Sequence, residues 1–281
     1  MAKTFLEMLA FAEARYHSSL CVGLDPDLKR FPEGVTRNSQ GLINFCRAIV
    51  DETSDKVIAF KPQFACFAAA RAERELEKII RYIHDTTDAP VILDVKRGDI
   101  GSTAEQYAIE AFERYEADAV TLSPYMGFDS IEPYLKYEGK GAFLLCRTSN
   151  SGGDDLQNRY LSDIEGTPRL FEYVASRASD KWNLNGQLGL VVGATYPKEL
   201  QDVRVCAPHL PLLIPGVGAQ GGDAASAVTA AWRPDAPIVI NSSRSILYAS
   251  HDADFAKAAR RAAEQTRKEI EDAKDAIKIF P

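Results

Sequence analysis

The sequence predicts an α/β protein, a (β/α)8 TIM barrel in a single domain spanning residues 1–281. Eight short apolar runs alternate along the chain with segments of amphipathic helical spacing. Eight strands that are each followed by a helix favour a barrel, which typically takes about 250 residues. Two small domains would also fit the length of 281 residues, but no linker and no shift of composition separates them.

The predicted strands are short and mostly apolar, as expected of strands with both faces buried in a parallel sheet. Several of them end on a polar or charged residue. They cover residues 20–25, 57–61, 91–96, 119–123, 142–148, 188–195, 212–217 and 238–241.

The predicted helices lie between these strands and at both ends of the chain. The first, 1–16, carries Glu7 and Glu13 among apolar residues and lacks a cleavage pattern, so it predicts a helix and not a secretion signal. Ser102 and Glu105 have the spacing of a capping box for the helix after the third strand. The other predicted helices cover 65–84, 103–115, 167–182, 197–206, 223–232 and 252–278.

Composition and charge exclude several classes of function. Hydrophobic residues make up 46% of the chain and charged residues 26%, which is ordinary for a globular protein in water. A net charge of −7 with no basic stripe argues against a nucleic-acid partner. No apolar run reaches the roughly 18 residues of a membrane span, so no membrane association is expected.

Cysteine and histidine usage predicts a cytoplasmic protein with reduced thiols. The five cysteines are odd in number, widely spaced and surrounded by apolar residues. The sequence has no CxxC motif and no paired histidines, which argues against a zinc site. None of the four histidines ends a predicted strand, so a histidine-based catalytic triad is not expected.

Three charged residues lie close together at the end of the third predicted strand. Asp94 and Lys96 point to the same face of that strand, roughly 7 Å apart along the backbone. Asp99 follows in the loop before the next helix. Charge at the end of a buried strand is costly to desolvate and is typical of a catalytic site. An ordinary ion pair at a solvated strand end is the alternative.

Polar residues also end, or closely follow, several other predicted strands. The carboxyl ends of the strands are where barrel enzymes carry their active sites. The residues at this edge are Asp25, Lys61, Ser123, Ser149 and Arg244.

A glycine-rich loop follows the seventh predicted strand, where residues 215–223 read PGVGAQGGD. The spacing G-x-G-x-x-G matches a dinucleotide fingerprint, but that motif belongs to a first βαβ unit with an acidic residue about 20 positions on. The loop instead predicts backbone amides that approach a phosphate. Arg244 would supply a cation to the same phosphate. The alternative is a flexible connection with a surface arginine.

These motifs together resemble the orotidine 5′-phosphate decarboxylase family, in particular its bacterial subgroup with longer chains (type 2). The resemblance runs from about residue 20 to residue 247. Its central stretch, 94–103, reads DVKRGDIGST. The other matching motifs, in the family's order, are GLDPD at 23–27, FKPQ at 60–63, CRTSN at 146–150 and PGVGAQGG at 215–222.

The resemblance implies a cofactor-independent decarboxylation of orotidine 5′-phosphate to uridine 5′-phosphate in pyrimidine biosynthesis. Lys96 would protonate C6 of the pyrimidine after CO2 leaves, and Asp94 would lie against the substrate carboxylate. Lys61 and Asp25 would hold the ribose hydroxyls and complete the charge network. No metal, pyridoxal phosphate or thiamine is implied.

The resemblance also implies the remaining substrate contacts and a homodimer with shared active sites. Asp99, Ile100 and Thr103 would serve the site of the neighbouring subunit. Ser149 would bind the pyrimidine, and Gln220 would link base and phosphate. Pro215 and Arg244 would complete the contacts, although Ser243 stands where the family often has glycine.

Two other functions are alternatives to this one. A magnesium-dependent relative acting on sugar phosphates would use an acidic residue at the end of the second strand, where this chain has Lys61. A non-catalytic protein that binds a phosphorylated ligand would not need the buried Asp-Lys-Asp arrangement. The segment 154–166 and the last helix are interpreted as surface elaborations with no assigned function.

Overall fold

The computed structural model describes residues 3–217 and 222–279, and a ring of eight parallel strands lies at its centre. The strands are β1 (Leu20–Leu24), β2 (Ala59–Pro62), β3 (Ile92–Arg97), β4 (Ala119–Leu122), β5 (Gly141–Arg147), β6 (Leu188–Val192), β7 (Leu212–Pro215) and β8 (Ile238–Ser242). They pair in the order β2-β1-β8-β7-β6-β5-β4-β3. Bridges from Phe60 to Val91 and from Gln63 to Asp94 join β2 to β3 and close the ring. The predicted (β/α)8 barrel is confirmed, while its extent as one domain over 1–281 stays a prediction.

The helices surround this ring. They are α1 (Phe5–Tyr16), α2 (Ser39–Thr53), α3 (Phe64–Ala69), α4 (Glu73–Thr86), α5 (Gly101–Ile109), α6 (Glu132–Leu135), α7 (Leu170–Ser179), α8 (Pro197–Cys206), α9 (Ala224–Ala231), α10 (Arg244–Leu247) and α11 (Phe255–Ile279). α2, α6 and α10 are absent from the sequence prediction. In the described ranges, no helix combines the length and the apolar character that a membrane crossing requires.

Two local predictions about helices were wrong. The segment 65–84 forms two helices, because Arg71 adopts a left-handed backbone with φ of 53° and interrupts the helical ladder between α3 and α4. The capping box of Ser102 and Glu105 does not form. α5 begins at Gly101 with Ile100 at the N-cap position and no side-chain cap, so Ser102 lies inside the first turn.

Helix α1 closes the amino-terminal end of the barrel. The Phe5 amide donates to the Gly139 carbonyl at 2.7 Å, just before β5 begins. The Phe5 ring enters the barrel and meets Phe143 edge-on at 5.7 Å between ring centres. Gly141 makes room for it, since a Cβ there would lie 2.4 Å from the Phe5 ring. This closed floor leaves the opposite end of the barrel for a functional site.

Helix α11 is part of the core, which corrects its interpretation as a surface elaboration. It packs against α2 and α9, and Ala259, Ala263 and Ile270 are fully buried. Near its end, the buried Lys274 bonds to Glu13 of α1 at 2.7 Å. α11 therefore ties the outer helical layer to the floor of the barrel.

Candidate active site

A cavity of about 480 Å³ lies at the carboxyl ends of the strands. Its position agrees with the general location of active sites in barrel enzymes. The residues of the sequence prediction that line it are Asp25, Lys61, Asp94, Lys96, Ser149, Pro215 and Arg244. These residues come from six different strands or the loops that follow them, and the fold brings them into one cavity.

Asp94 is the centre of a buried ionic network. The Lys61 ammonium lies 2.6 Å from Asp94 Oδ2, and the Lys96 ammonium lies 2.5 Å from Asp94 Oδ1. Gln63 donates to Oδ2 at 3.1 Å, and the Thr121 hydroxyl donates to Oδ1 at 2.9 Å. Each carboxylate oxygen thus accepts one hydrogen bond from an ammonium group and one from a neutral donor. The carboxylate therefore cannot rotate without losing hydrogen bonds.

The network fixes the charge of its buried members. Burial alone would raise the pKa of Asp94, but the Lys61 and Lys96 ammonium groups and their hydrogen bonds hold it well below its usual range. Burial alone would lower the pKa of Lys61, but Asp94 and Asp25 hold it above its usual value. Asp94 therefore stabilises the fold above about pH 4, and Lys61 does so below about pH 10.

Lys96 differs from the other two members in exposure and in backbone conformation. Its side chain is 46% exposed, against 8% for Asp94, so its ammonium group is accessible from the cavity. Its φ of 49° lies in the left-handed region that non-glycine residues rarely adopt. Asp94 and Lys96 do face each other as predicted, but in a strand whose backbone is distorted at Lys96. Strained backbone of this kind is concentrated at active sites.

The end of the cavity opposite this network is suited to an anion. Pro215, Gly216 and Val217 line it from the end of β7, and Ser243 and Arg244 line it from the end of β8. Gly216 has a φ of 98°, which favours glycine at that position. The exposed Arg244 guanidinium offers a forked cation to a ligand phosphate.

Three buried oxygen atoms on the cavity wall have no hydrogen-bond partner within the described part of the chain. They are Asp25 Oδ1, Asn241 Oδ1 and Ser243 Oγ. Buried polar atoms are nearly always paired in folded proteins, so unpaired ones need an explanation. Hydroxyl groups of a bound ligand would supply the missing donors.

The loop that carries Ser149 is held by a buried cation. Arg147 is 1% exposed, and its guanidinium bonds to Asp154 at 2.7 Å. The Gln157 side-chain oxygen accepts a hydrogen bond from the backbone amide of Thr148 at 2.8 Å. The segment that begins at Asp154, interpreted from sequence as a surface elaboration, therefore anchors the loop beside the cavity.

Four residues of the prediction lie outside this cavity or outside the described chain. Asp99, Ile100 and Thr103 do not line the cavity, and Ile100 is 50% exposed. Gln220 falls in 218–221, outside the described residues. Their predicted roles stay predictions.

Sequence reasoning did not single out several polar residues of the cavity wall, and it placed Ser123 at the same edge. Gln63, Thr121 and Asn241 line the cavity, whereas Ser123 does not. Gln63 follows Lys61 by two positions and ends the quoted FKPQ motif, so the alternation of strand faces could have found it. The same alternation places Thr121 of β4 and Ser123, which follows that strand, on one face. Only the structure shows that Thr121 lines the cavity and that Ser123 does not.

The arrangement of potential metal ligands and of cysteines bears on the chemistry that the site can support. Among residues 3–217 and 222–279, no three His, Cys, Asp or Glu side chains lie close enough to hold a metal ion. The five cysteines are free thiols. Burial raises the pKa of Cys21, below the network, to about 12, so this thiol is neutral.

The chain forms a (β/α)8 barrel with a closed floor, and a buried ionic network lies in the cavity at the carboxyl ends of its strands. This is the architecture of a barrel enzyme. The model of the orotidine 5′-phosphate decarboxylase / HUMPS family matches residues 18–261. The chain belongs to this family.

Individual relatives agree with this assignment. The chain is 63% identical over 278 residues to orotidine 5′-phosphate decarboxylase of Polaromonas naphthalenivorans, covering 98% of this chain and 99% of the relative. It is 66% identical over 265 residues to the enzyme of the same name from Paracidovorax citrulli, covering 94% and 97%. The solved structure of Leishmania donovani OMP decarboxylase superposes with a TM-score of 0.83 at 37% identity, covering 96% of this chain and 98% of that one.

Proposed function

We propose that the protein converts orotidine 5′-phosphate into uridine 5′-phosphate and CO2 without a cofactor. The observation that carries this proposal is the Lys61–Asp94–Lys96 network, which lines the same cavity as Gly216 and Arg244. The substrate has matching features, with a carboxylate on its base and a phosphate at the other end. The names of the close relatives support the same reaction.

Lys96 is proposed to act at the reacting carbon. When the bond from C6 to the carboxylate breaks, CO2 leaves and its electron pair remains at C6 in an orbital that the ring cannot delocalise. An ammonium group fixed beside C6 stabilises that charge and then transfers its proton to the carbon, forming the C6–H bond of the product. Asp94 keeps the ammonium in place and lies near the substrate carboxylate.

The other cavity residues are proposed to bind the rest of the nucleotide. Asp25 and Lys61 would receive the ribose hydroxyls, which agrees with the unpaired Asp25 Oδ1. Ser149 would bind the pyrimidine from the loop that Arg147 anchors. Pro215, Arg244 and, from the undescribed segment, Gln220 would complete the contacts with phosphate and base, and their binding energy can promote closure around the substrate.

The decisive experiment is a spectrophotometric assay with orotidine 5′-phosphate. We expect the pyrimidine absorbance to fall as product forms, and no change at high enzyme concentration would refute the proposal. Addition of EDTA is expected to leave the rate unchanged. Loss of activity with EDTA would instead favour a metal-dependent relative that acts on sugar phosphates.

We also propose that the protein works in the cytoplasm as a homodimer with shared active sites. Asp99, Ile100 and Thr103 lie beside β3 but do not line the cavity of their own chain. An isoleucine that is 50% exposed is suited to an apolar contact with a second copy. In a symmetric dimer, the same three residues of each subunit would complete the site of the other.

Mixing two inactive variants tests the shared site. Lys96→Ala and Asp99→Ala subunits, allowed to exchange at equal amounts, are expected to recover about a quarter of the parent activity, since half of the dimers are hybrids with one intact site. Lys96→Ala mixed with Lys61→Ala is the control. Both of these residues serve their own subunit's cavity, so no activity should return. Failure of the first pair to recover, with exchange verified by native mass spectrometry, would contradict the shared site.

Replacing Arg244 with alanine is expected to weaken substrate binding. The protein should stay folded, because Arg244 is an exposed residue at the start of α10. A charge-assisted hydrogen bond contributes about 1.5–3 kcal/mol, so KM should rise roughly 10- to 150-fold. Orotidine, which lacks the phosphate, should be turned over equally by the variant and the parent. Arg81→Ala, on an exposed helix position away from the cavity, is the control. A KM for the nucleotide within twofold of the parent would exclude Arg244 from the phosphate site.

A further inference from the structure

The backbone beside the proposed proton donor is not paired regularly with the neighbouring strand β4. β3 and β4 pair at Ile92 and Leu93 and again at Arg97, but the register shifts in between. Residues 94–96 therefore lack regular ladder partners in β4. Within this gap Lys96 takes its left-handed conformation, with φ of 49°. On its β2 side the segment keeps only the bridge from Gln63 to Asp94, so on the β4 side something other than ladder hydrogen bonds must hold it.

The hydroxyl of Thr121 occupies this gap. It accepts hydrogen bonds from the backbone amides of Val95 at 3.1 Å and Lys96 at 3.0 Å, and it donates one to Asp94 Oδ1 at 2.9 Å. A hydroxyl has one donor and two acceptor positions, and all three are used here. Thr121 is 1% exposed, so water cannot readily take its place.

We propose that Thr121 is a positioning residue that sets the Lys96 ammonium against the reacting carbon. One hydroxyl fixes both the backbone turn that directs the lysine and the carboxylate that holds its ammonium group. The inference rests on the proposed decarboxylation, because it assigns Thr121 a role in that reaction. Thr121 does not itself exchange a proton with the substrate.

Loss of the hydroxyl should act on the rate more than on binding. The amides of Val95 and Lys96 would lose their acceptor, and the strained turn would relax towards regular strand. A displacement of about 1 Å at a reacting group can lower a rate roughly 10²-fold. The phosphate end of the cavity, formed by the ends of β7 and β8, would keep its geometry.

The test compares three single variants. Thr121→Val keeps the shape of the side chain without the hydroxyl, and Thr121→Ser keeps the hydroxyl. The matched control is Thr53→Val, because Thr53 is equally buried and bonds to the Ile49 carbonyl at 2.7 Å in α2, away from the cavity. For each protein, kcat, KM, the dissociation constant of uridine 5′-phosphate and the melting temperature are measured.

We expect Thr121→Val to lower kcat about 10- to 100-fold, with KM and product binding within about threefold of the parent. Thr121→Ser should keep at least about a third of kcat, and Thr53→Val should keep nearly all of it while losing stability. A kcat of Thr121→Val within twofold of the parent would overturn the proposal. So would equal losses of kcat in Thr121→Val and Thr121→Ser.

The proposed function and this inference can fail separately. An inactive parent enzyme would refute the decarboxylation, but the crystal structure of Thr121→Val would still decide the role of the hydroxyl. A Lys96 backbone that leaves the left-handed region in that structure supports the positioning role. An unchanged backbone with the ammonium still on Asp94 Oδ1 overturns it.

Discussion

Replacing Lys96 with alanine is expected to abolish turnover, with kcat at least about 10⁴-fold lower, while uridine 5′-phosphate still binds. Under the proposed mechanism, the variant removes both the charge that stabilises the electron pair at C6 and the proton that C6 receives. It should fold, because the Lys96 side chain is 46% exposed and Asp94 keeps its contact with Lys61. The rate of product formation in the spectrophotometric assay measures the loss of turnover. Calorimetric titration with uridine 5′-phosphate measures whether the nucleotide still binds.

Lys78→Ala is the control for the Lys96 variant. Lys78 lies on α4 with its side chain 59% exposed and pairs only weakly with Glu75. It should keep the activity of the parent. Near-normal kcat in Lys96→Ala would remove the lysine from the chemistry and would leave the network with a structural role.

Replacing Asp94 with asparagine is expected to lower both activity and stability. Lys61, only 5% exposed, would lose its main partner, and breaking a buried ion pair in this way costs about 3–5 kcal/mol. The Lys96 ammonium would lose the carboxylate oxygen that positions it, so kcat should fall about 10³-fold or more. Denaturant unfolding and the decarboxylation assay test these two effects.

The pH dependence of stability provides a sharper test of the Asp94 variant. In the parent, the raised pKa of Lys61 means that its contribution is full below about pH 10 and is lost as the pH rises through the folded-state pKa. In Asp94→Asn, the largest contribution that raises the pKa of Lys61 is removed, and Asp25 still acts against the effect of burial, so that pKa should be lower than in the parent. Less of the variant's stability then depends on the charge of Lys61, so the difference in stability between parent and variant should narrow as the pH rises above about 10.

Asp118→Asn is the matched control for this variant. Asp118 is also buried and accepts hydrogen bonds from His84 and the Val91 amide, but it lies at the closed floor of the barrel. It should lose stability and keep kcat. Equal losses of kcat in the two variants would mean that the Asp94 effect comes from weakened folding alone.

The barrel was predictable because its signals are local. Short apolar runs that end in Asp25, Lys61 or Asp94 identify both the strands and the edge at which the cavity forms. The break at Arg71 was not predictable, since neither glycine nor proline marks it. Its left-handed backbone depends on how α3 and α4 pack against the barrel.

The candidate site was predictable where its residues are charged and less so where they are neutral. Lys61, Asp94 and Lys96 are conspicuous because charge at the end of a buried strand is rare. Thr121 is an ordinary strand residue in sequence, and its importance appears only in the three contacts of its hydroxyl. Arg147 likewise depends on Asp154, a partner across a loop that no spacing rule connects.

The floor of the barrel also determines where the chain can be extended. Phe5 bonds beside the start of β5, and Lys274 bonds to Glu13 and to Ser19, just before β1 begins. Both described ends of the polypeptide thus lie on the face opposite the cavity mouth. A purification tag or a fused enzyme joined at either end would project away from the mouth, so the nucleotide could enter and leave unobstructed.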